Sequence, residues 1–477
     1  MYDENNKKNK NKISRRRFLA GSLAGLAASP LVVSGAALGK DGNLPPSDRI
    51  TIAMIGVGGR GNHSIASMRP LPDHQILAVC DCRRDRALAS QNIVNQMYAD
   101  RTAQGSYNGC DLYEDFRDVL LRDDISAVWG TTNDHWHGPM FSRIVKAGKD
   151  LYGEKVLTRY ISQGIKLCRQ VRDHGVVFQT GTQQRSQVIF RQACELARNG
   201  YLGKVHTIEV AVPRGMAFPC EAPSEPPAGF DWEMWSGPAP LTPFDARRVS
   251  YPCLYMISHY CAGFVTNWGV HHLDIAGWGI PEVFEKPFEV EGQGVMPGEG
   301  MTDTWVTWRA SFRYESGLHL DFCSTGDPHP QGCRFIGDEG WVHVSRAGIS
   351  ASSESLLKIQ PKDSDELLHR SPGFADPYTA HTADFFRSIR TRQDPASTVE
   401  AGHLATTLGN VSDIAMRMGR QLKWDPVQSR FIGDDAANRM LSIAERSPWT
   451  MDSWCFSDRG QEIGDRVQMA GCQTSYA

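Results

Sequence analysis

The sequence has little net charge, no apolar run built to stay in a membrane and no cysteine spacing suited to a metal. Each deficit removes a class of function. Its 51 Lys and Arg stand against 54 Asp and Glu, a formal charge of −3 at pH 7. With neither a basic stripe nor an acidic tail, the chain is not expected to bind nucleic acid or an anionic membrane surface. The Lys-rich opening (Lys7, Lys8, Lys10, Lys12) belongs to an export signal and is not a binding patch. The moderately apolar run ending near Val33 is short and rich in Ala and Gly, which fits a cleaved signal better than a retained span. The 12 cysteines are scattered. Cys80, Cys168 and Cys194 fall on apparent strand or helix faces, where a buried thiol is the ordinary state. Cys80-Asp81-Cys82 has the wrong spacing for a zinc knuckle, so no metal is expected. There is no internal repeat and no coiled-coil pattern.

What is present begins with 477 residues, 41% apolar and 22% charged, enough for two ordinary globular domains. Ser14-Arg15-Arg16-Arg17-Phe18-Leu19, set before the apolar run, marks the twin-arginine export route. The signal is expected to cover residues 1–39, with cleavage near Ala36 and a periplasmic or extracellular product. No cysteine follows the apolar region, which argues against a lipoprotein anchor. The twin-arginine route carries chains folded in the reducing cytoplasm, so disulfides are not expected.

After a polar linker, strand and helix patterns alternate. Strands are expected at 50–55, 75–80, 125–129, 150–152 and 176–180, with helices at 63–68, 84–98, 140–147 and 162–174. Such alternation dictates parallel βαβ units and a doubly wound α/β sheet. A helix at 188–199 leads to a strand at 205–212. Nine prolines between Pro213 and Pro252 then rule out regular structure. Beyond them, 288–292, 304–314, 319–324, 334–336 and 341–345 read as consecutive strands, a second domain of α+β type with a mainly antiparallel sheet. Helices at 379–390 and 400–419 precede a tail. The expected boundaries are 48–182 and 183–425 for the two domains and 426–477 for the tail.

Residues 50–61, ITIAMIGVGGRG, carry the most information. A β-branched run meets Gly56, Gly58 and Gly61, the pattern of a buried strand feeding a glycine-rich turn and a helix. Gly56 permits the tight turn, Gly58 the approach of a diphosphate to the backbone, and Gly61 close helix–strand packing. The helix start, with Gly59 and Arg60, offers free N–H groups and positive dipole to phosphates. Asp81 closes the next strand about 20 residues on, as a dinucleotide fingerprint requires. Its carboxylate favours NAD by accepting from ribose hydroxyls. Arg83 and Arg84 lie near enough to leave NADP open.

Three further segments complete a pattern: TTNDHWH (131–137), GEKVLT (153–158) and TNWGVHHLDIAGW (266–278). In this order, with the glycine loop, they resemble the Gfo/Idh/MocA family of sugar and polyol oxidoreductases over nearly all of residues 48–450. The resemblance implies a Rossmann domain followed by a domain built on a large open sheet. It places Lys155, with Glu154 beside it, at the carboxyl end of a strand, where lysine handles a substrate hydroxyl. From the residues alone, a solvated strand-end lysine is the competing reading. The family's Pro after this Lys is Val156 here. His271 takes the place of the family's acid/base histidine, a role suited to imidazole near neutral pH. Asn267 stands where the family has Asp; an amide orients a hydroxyl but carries no proton. The resemblance also places the loop with Thr132, Asn133 and His137 at the ribose and nicotinamide; an ordinary strand–helix loop with a capping residue is the competing reading. Arg185, His272 and Asp274 are expected at the substrate, although Arg185 could equally cap a helix and Asp274 could be a carboxylate at a helix start.

These readings combine into an exported NAD(P)-dependent oxidoreductase acting on a small carbohydrate, a sugar, polyol or glycoside. Outside the cytoplasm there is no free dinucleotide pool, so a tightly held cofactor and a redox-neutral cycle are expected. The chemistry is either transfer between sugars or glycoside cleavage through transient oxidation. A non-catalytic sugar-binding role is the alternative. Family analogy adds a homo-oligomer.

Overall fold

The computed structural model describes residues 48–325 and 329–452; the twin-arginine signal and its expected cleavage site lie outside them. The first sheet is parallel, in the order β3-β2-β1-β4-β5-β6. Its strands are β1 (Ile50–Ile55), β2 (His74–Cys80), β3 (Asp111–Tyr113), β4 (Ala127–Gly130), β5 (Asp150–Gly153) and β6 (Phe178–Thr180). Ile52, Ala53 and Met54 of β1 are all fully buried, because helices cover both faces of a parallel sheet. Connections diverge between β1 and β4, and a crevice opens beyond the carboxyl ends of strands at such a point. Helices α1 (Gly59–Met68), α2 (Arg84–Met97), α3 (Asp134–Lys146) and α4 (Ile161–His174) supply the layers on either side.

The second sheet runs β13-β12-β11-β7-β10-β9-β8-β14-β15. In chain order its strands are β7 (Val205–Val212), β8 (Phe288–Val295), β9 (Thr307–Tyr314), β10 (His319–Ser324), β11 (Gly332–Gly337), β12 (Gly340–Ser345), β13 (Gly348–Ala351), β14 (Leu422–Asp425) and β15 (Arg430–Phe431). Only β7 and β10 pair in parallel; the other neighbours are antiparallel. Along β9, Trp308, Ala310, Phe312 and Tyr314 are buried while Arg309 and Arg313 are exposed. This alternation marks a sheet with one covered face. The cover is α5 (Val188–Arg198), α6 (Gly269–Gly279) and α8 (Val399–Met418). Every residue of α6 is buried, as in a helix enclosed on all sides.

Two late segments return to the first sheet. Helix α7 (Pro377–Thr391) lays Phe385 and Phe386 against Ile52, Met54, Trp129 and Tyr152. Residues after 425, expected as a tail, add β15 to the second sheet and then bring Trp449 onto Trp136, ring centroids 5.2 Å apart. The proline-rich excursion is irregular apart from short turns of helix, Trp232–Ser236 and Cys253–Met256. It is pinned by the Trp136 indole N–H, which donates to the Met234 carbonyl at 2.9 Å. No disulfide joins the described cysteines to one another. Among the described residues there is no His, Cys, Asp and Glu grouping fit for a metal, and no helix long and apolar enough to cross a membrane.

Candidate active site

Beyond β1 the chain turns at Gly56 with φ +83°, where a Cβ would lie 2.8 Å from the Thr131 backbone. L side chains avoid this conformation. Gly61 faces the same turn, and a Cβ there would strike the Gly56 carbonyl. Gly58 and Gly59 line the cleft, and a Cβ on Gly59 would meet nothing within 4 Å. No side chain caps α1 at Gly58, so its first-turn amides are left for a ligand. Asp81, at the end of β2, accepts the N–H groups of Val57 and Arg83, each at 2.9 Å. Burial raises its pKa; Oδ1 also accepts from the Cys82 thiol at 3.9 Å, and Oδ2 keeps a lone pair for a hydroxyl. Gly56→Ala adds strain of about 1–2 kcal/mol as well as the contact with Thr131. The variant is therefore expected to hold dinucleotide at least about tenfold more weakly, measured as dinucleotide released from the purified protein.

The floor of the cleft is built where β5 ends. Gly181 leaves room for the Glu154 carboxylate, which would lie 2.9 Å from a Cβ at that position. Arg60 Nε donates to Glu154 Oε1 at 2.6 Å, and the Lys155 N–H donates to Oε2 at 3.2 Å. The Lys155–Val156 peptide is cis. Lys155 Nζ donates to the Asn267 carbonyl at 3.0 Å, which joins the first domain to the segment before α6. Burial lowers the lysine pKa, opposed by the charges of Asp134 and Glu154. His271 lies in the first turn of α6 and lines the cleft. Burial, helped by the cations Arg346 and Lys155, pushes its pKa well below the ordinary imidazole value. His271 is therefore neutral at physiological pH, and its buried Nδ1 has no partner among the described residues.

The cleft encloses about 570 Å³, within the range of small-molecule sites. The uncapped start of α1, the open side of Gly59, the Oδ2 of Asp81 and the unpartnered His271 Nδ1 fit a dinucleotide in this cleft. Residues 50–182 match the family model described as oxidoreductase family, NAD-binding Rossmann fold. Residues 220–451 match the one described as oxidoreductase family, C-terminal alpha/beta domain. The chain belongs to the Gfo/Idh/MocA family. A glycosyl hydrolase family 109 protein of Shewanella baltica is 31% identical over 180 residues, 34% of this chain and 36% of that protein. The chain thus spans about a third of the length of these relatives. Myo-inositol 2-dehydrogenase of Thermotoga maritima is 20% identical over 79% of this chain and 99% of its own. The structure of aldose-aldose oxidoreductase from Caulobacter crescentus, complexed with glycerol, shares the fold at 16% identity. Its TM-score is 0.57, with 79% of this chain and 99% of that one covered.

Among Gfo/Idh/MocA motif residues, the structure gathers Gly56, Gly58, Gly59, Arg60, Asp81, Thr132, Asn133, Glu154, Lys155, Asn267 and His271 on one cleft. It places others elsewhere. His137, expected at the cofactor, is fully buried in α3. Its ring bonds to the carbonyls of Val156 and Thr132 and stacks on Phe141, so it ties the two motif loops together from behind. Arg185 and Asp274, expected at the substrate, form a buried pair at 2.7 Å away from the cleft. That pair locks the turn Gln183–Ser186 to α6. His272 points into the core beside Phe190 and Gln184, because adjacent helical residues face different ways. Gly61 acts by packing. Arg83 pairs with Asp85 and Arg84 with Glu114, and it is Arg86, not singled out in the sequence, that lines the cleft. Sequence reasoning also missed Asp134, Arg346 and Tyr378 as lining residues. Arg346 comes from the β12–β13 turn and Tyr378 from α7, and no local pattern joins either to the glycine loop.

Proposed function

We propose that the chain is an exported NAD-dependent oxidoreductase of a sugar, polyol or glycoside that keeps its cofactor through a redox-neutral cycle. The observation that carries this reading is the meeting of Lys155, Asn267 and His271 on the floor of a cleft whose other end is the glycine loop. A nicotinamide bound in the cleft would supply the acceptor, and on return the donor, for a hydride of a carbinol carbon. The chain's own residues manage the oxygen. The desolvated Lys155 amine takes the hydroxyl proton, a step favoured by its lowered pKa. His271, held neutral, hydrogen-bonds the same oxygen and orients it, while the Asn267 side chain offers a further polar contact without carrying a proton.

The aromatic rings of Tyr251, Tyr255 and Trp268 also line the cleft and suit the apolar faces of a carbohydrate. Names among the relatives, a glycosyl hydrolase and an aldose-aldose oxidoreductase, support a redox-neutral cycle in both of its forms. Export rests on Arg15 and Arg16, and retention of cofactor follows from it, since a dinucleotide released outside the cytoplasm is lost. A homo-oligomer through the uncovered face of the second sheet belongs to the same reading.

The test is to purify the protein without added cofactor, record the absorbance of bound nicotinamide, and add candidate sugars and α- or β-glycosides. Reduction of bound cofactor followed by reoxidation supports the enzyme, and product masses separate transfer from cleavage. Asn267 favours one second reading, a binder without turnover. Bound dinucleotide whose redox state no carbohydrate changes would establish that instead.

A further inference from the structure

Asp134 is the first residue of α3, where a carboxylate ordinarily stabilises a helix start from a solvated position. Here it is 3% exposed and lines the cleft. Its surroundings are those of the reaction centre. Asn267 Nδ2 lies 3.5 Å from Asp134 Oδ2, the long end of a hydrogen bond. The Cys261 thiol, which donates to the Gly263 carbonyl at 3.5 Å, and the Lys155 and Tyr255 side chains are within electrostatic reach of the same carboxyl group. The other acid beside Lys155 is already engaged, since Glu154 receives Arg60 on one oxygen and a backbone N–H on the other. Asn267 therefore bridges two groups. Its backbone carbonyl accepts from Lys155 Nζ at 3.0 Å and its side-chain amide faces Asp134.

We propose that Asp134 is the positioning residue of this site, the carboxylate that holds Lys155 and Asn267 in place for proton transfer with the substrate hydroxyl. The acid reaches the centre from the first domain, on the same side as Lys155 and across the interface from Asn267. This rests on the reading of Lys155 as the group that handles the substrate proton. The groups facing the amine are Asp134, Glu154, Cys261 and Arg60, and His271 and Tyr255 share the cleft. Only Asp134 among them is an acid without a guanidinium partner.

Asp134→Asn tests this, because asparagine preserves the shape and removes only the charge. Two readouts are needed. One is acetylation of Lys155 as a function of pH, followed by mass spectrometry, which requires no substrate. Loss of the negative charge disfavours the ammonium form, so the Lys155 midpoint moves to lower pH. The other is turnover of the bound cofactor with an active carbohydrate. It is expected to fall about tenfold or more in kcat with little change in KM, and Asp134→Asn/Asn267→Asp is expected to recover most of the loss. Asp134→Ser, which removes the carboxylate altogether, must move both readouts in the same direction. A Lys155 midpoint and kcat equal to those of the unchanged protein overturn the proposal. So does a kcat loss that the double variant fails to repair. If the Lys155 midpoint shifts but no carbohydrate ever reduces the cofactor of the unchanged protein, the positioning assignment stands and the proposed function fails.

Discussion

Lys155→Met will yield a protein that is purified with dinucleotide bound yet does not cycle it. The lysine enters the cleft from the end of β5, and its amine donates to the Asn267 carbonyl. Methionine keeps the length and apolar body of the side chain, so the glycine loop, Asp81 and Glu154 retain their geometry. What disappears is the amine that accepts the hydroxyl proton, a contribution of about 10²–10⁴-fold to the rate. In the unchanged enzyme the oxidation rate should rise with pH to a plateau, since the free amine is the active form. The midpoint should fall below the ordinary lysine value because burial disfavours the charged form. No inflection from His271 is expected near neutral pH, as burial has moved its titration far below. The methionine variant should lose the pH dependence along with the rate. Full activity in that variant would remove Lys155 from the chemistry and leave proton transfer to some other cleft group.

The second large effect is on stability. Asp274 is completely buried and Arg185 nearly so, and three contacts of 2.7–3.0 Å join them. Asp274→Ala leaves a guanidinium desolvated and uncompensated against α6. Breaking a buried pair from one side costs about 3–5 kcal/mol. The expected result is a large fall in the urea midpoint and poor recovery of soluble protein. Arg185→Met/Asp274→Leu removes both charges and fills the space, so it should regain most of the lost stability. A single variant as stable as the parent would show that the pair is solvated in solution. The same experiment separates structure from function, since the double variant should still cycle bound cofactor if neither residue touches substrate.

The sequence made the cofactor end of the site legible because its requirements are local. A turn at Gly56, an open approach at Gly58 and an acid after the next strand occupy fixed offsets, and the backbone conformation follows from those residues alone. Lys155, Asn267 and His271 were legible through motif order, although how they meet across two domains was not. His137, His272 and the Arg185–Asp274 pair lie outside the cleft lining, a placement the motifs do not state. Polar residues inside a motif are as often the bracing behind a site as its lining, and sequence carries no sign of which way they face. Asp134 is the reverse case. It sits within the 131–137 motif, yet an acid at the first position of a helix has an ordinary explanation until its burial is known. In the fold, the two sheets followed from periodicity. The attachment of α7 to the first sheet did not, since an amphipathic pattern states that a face is buried and not what buries it.

That attachment bears on the order of events during synthesis. Phe385 and Phe386 complete the apolar cover of β1, β4 and β5, yet they lie more than 200 residues downstream of the last strand of that sheet. A nascent chain that has emitted only the dinucleotide-binding strands carries an uncovered apolar face, a hazard for aggregation. Its cofactor cleft also lacks Tyr378 and Arg346. Closing the sheet waits for α7, so a chain truncated before α7 should fail to retain dinucleotide. Cofactor occupancy thus reports that translation has passed α7.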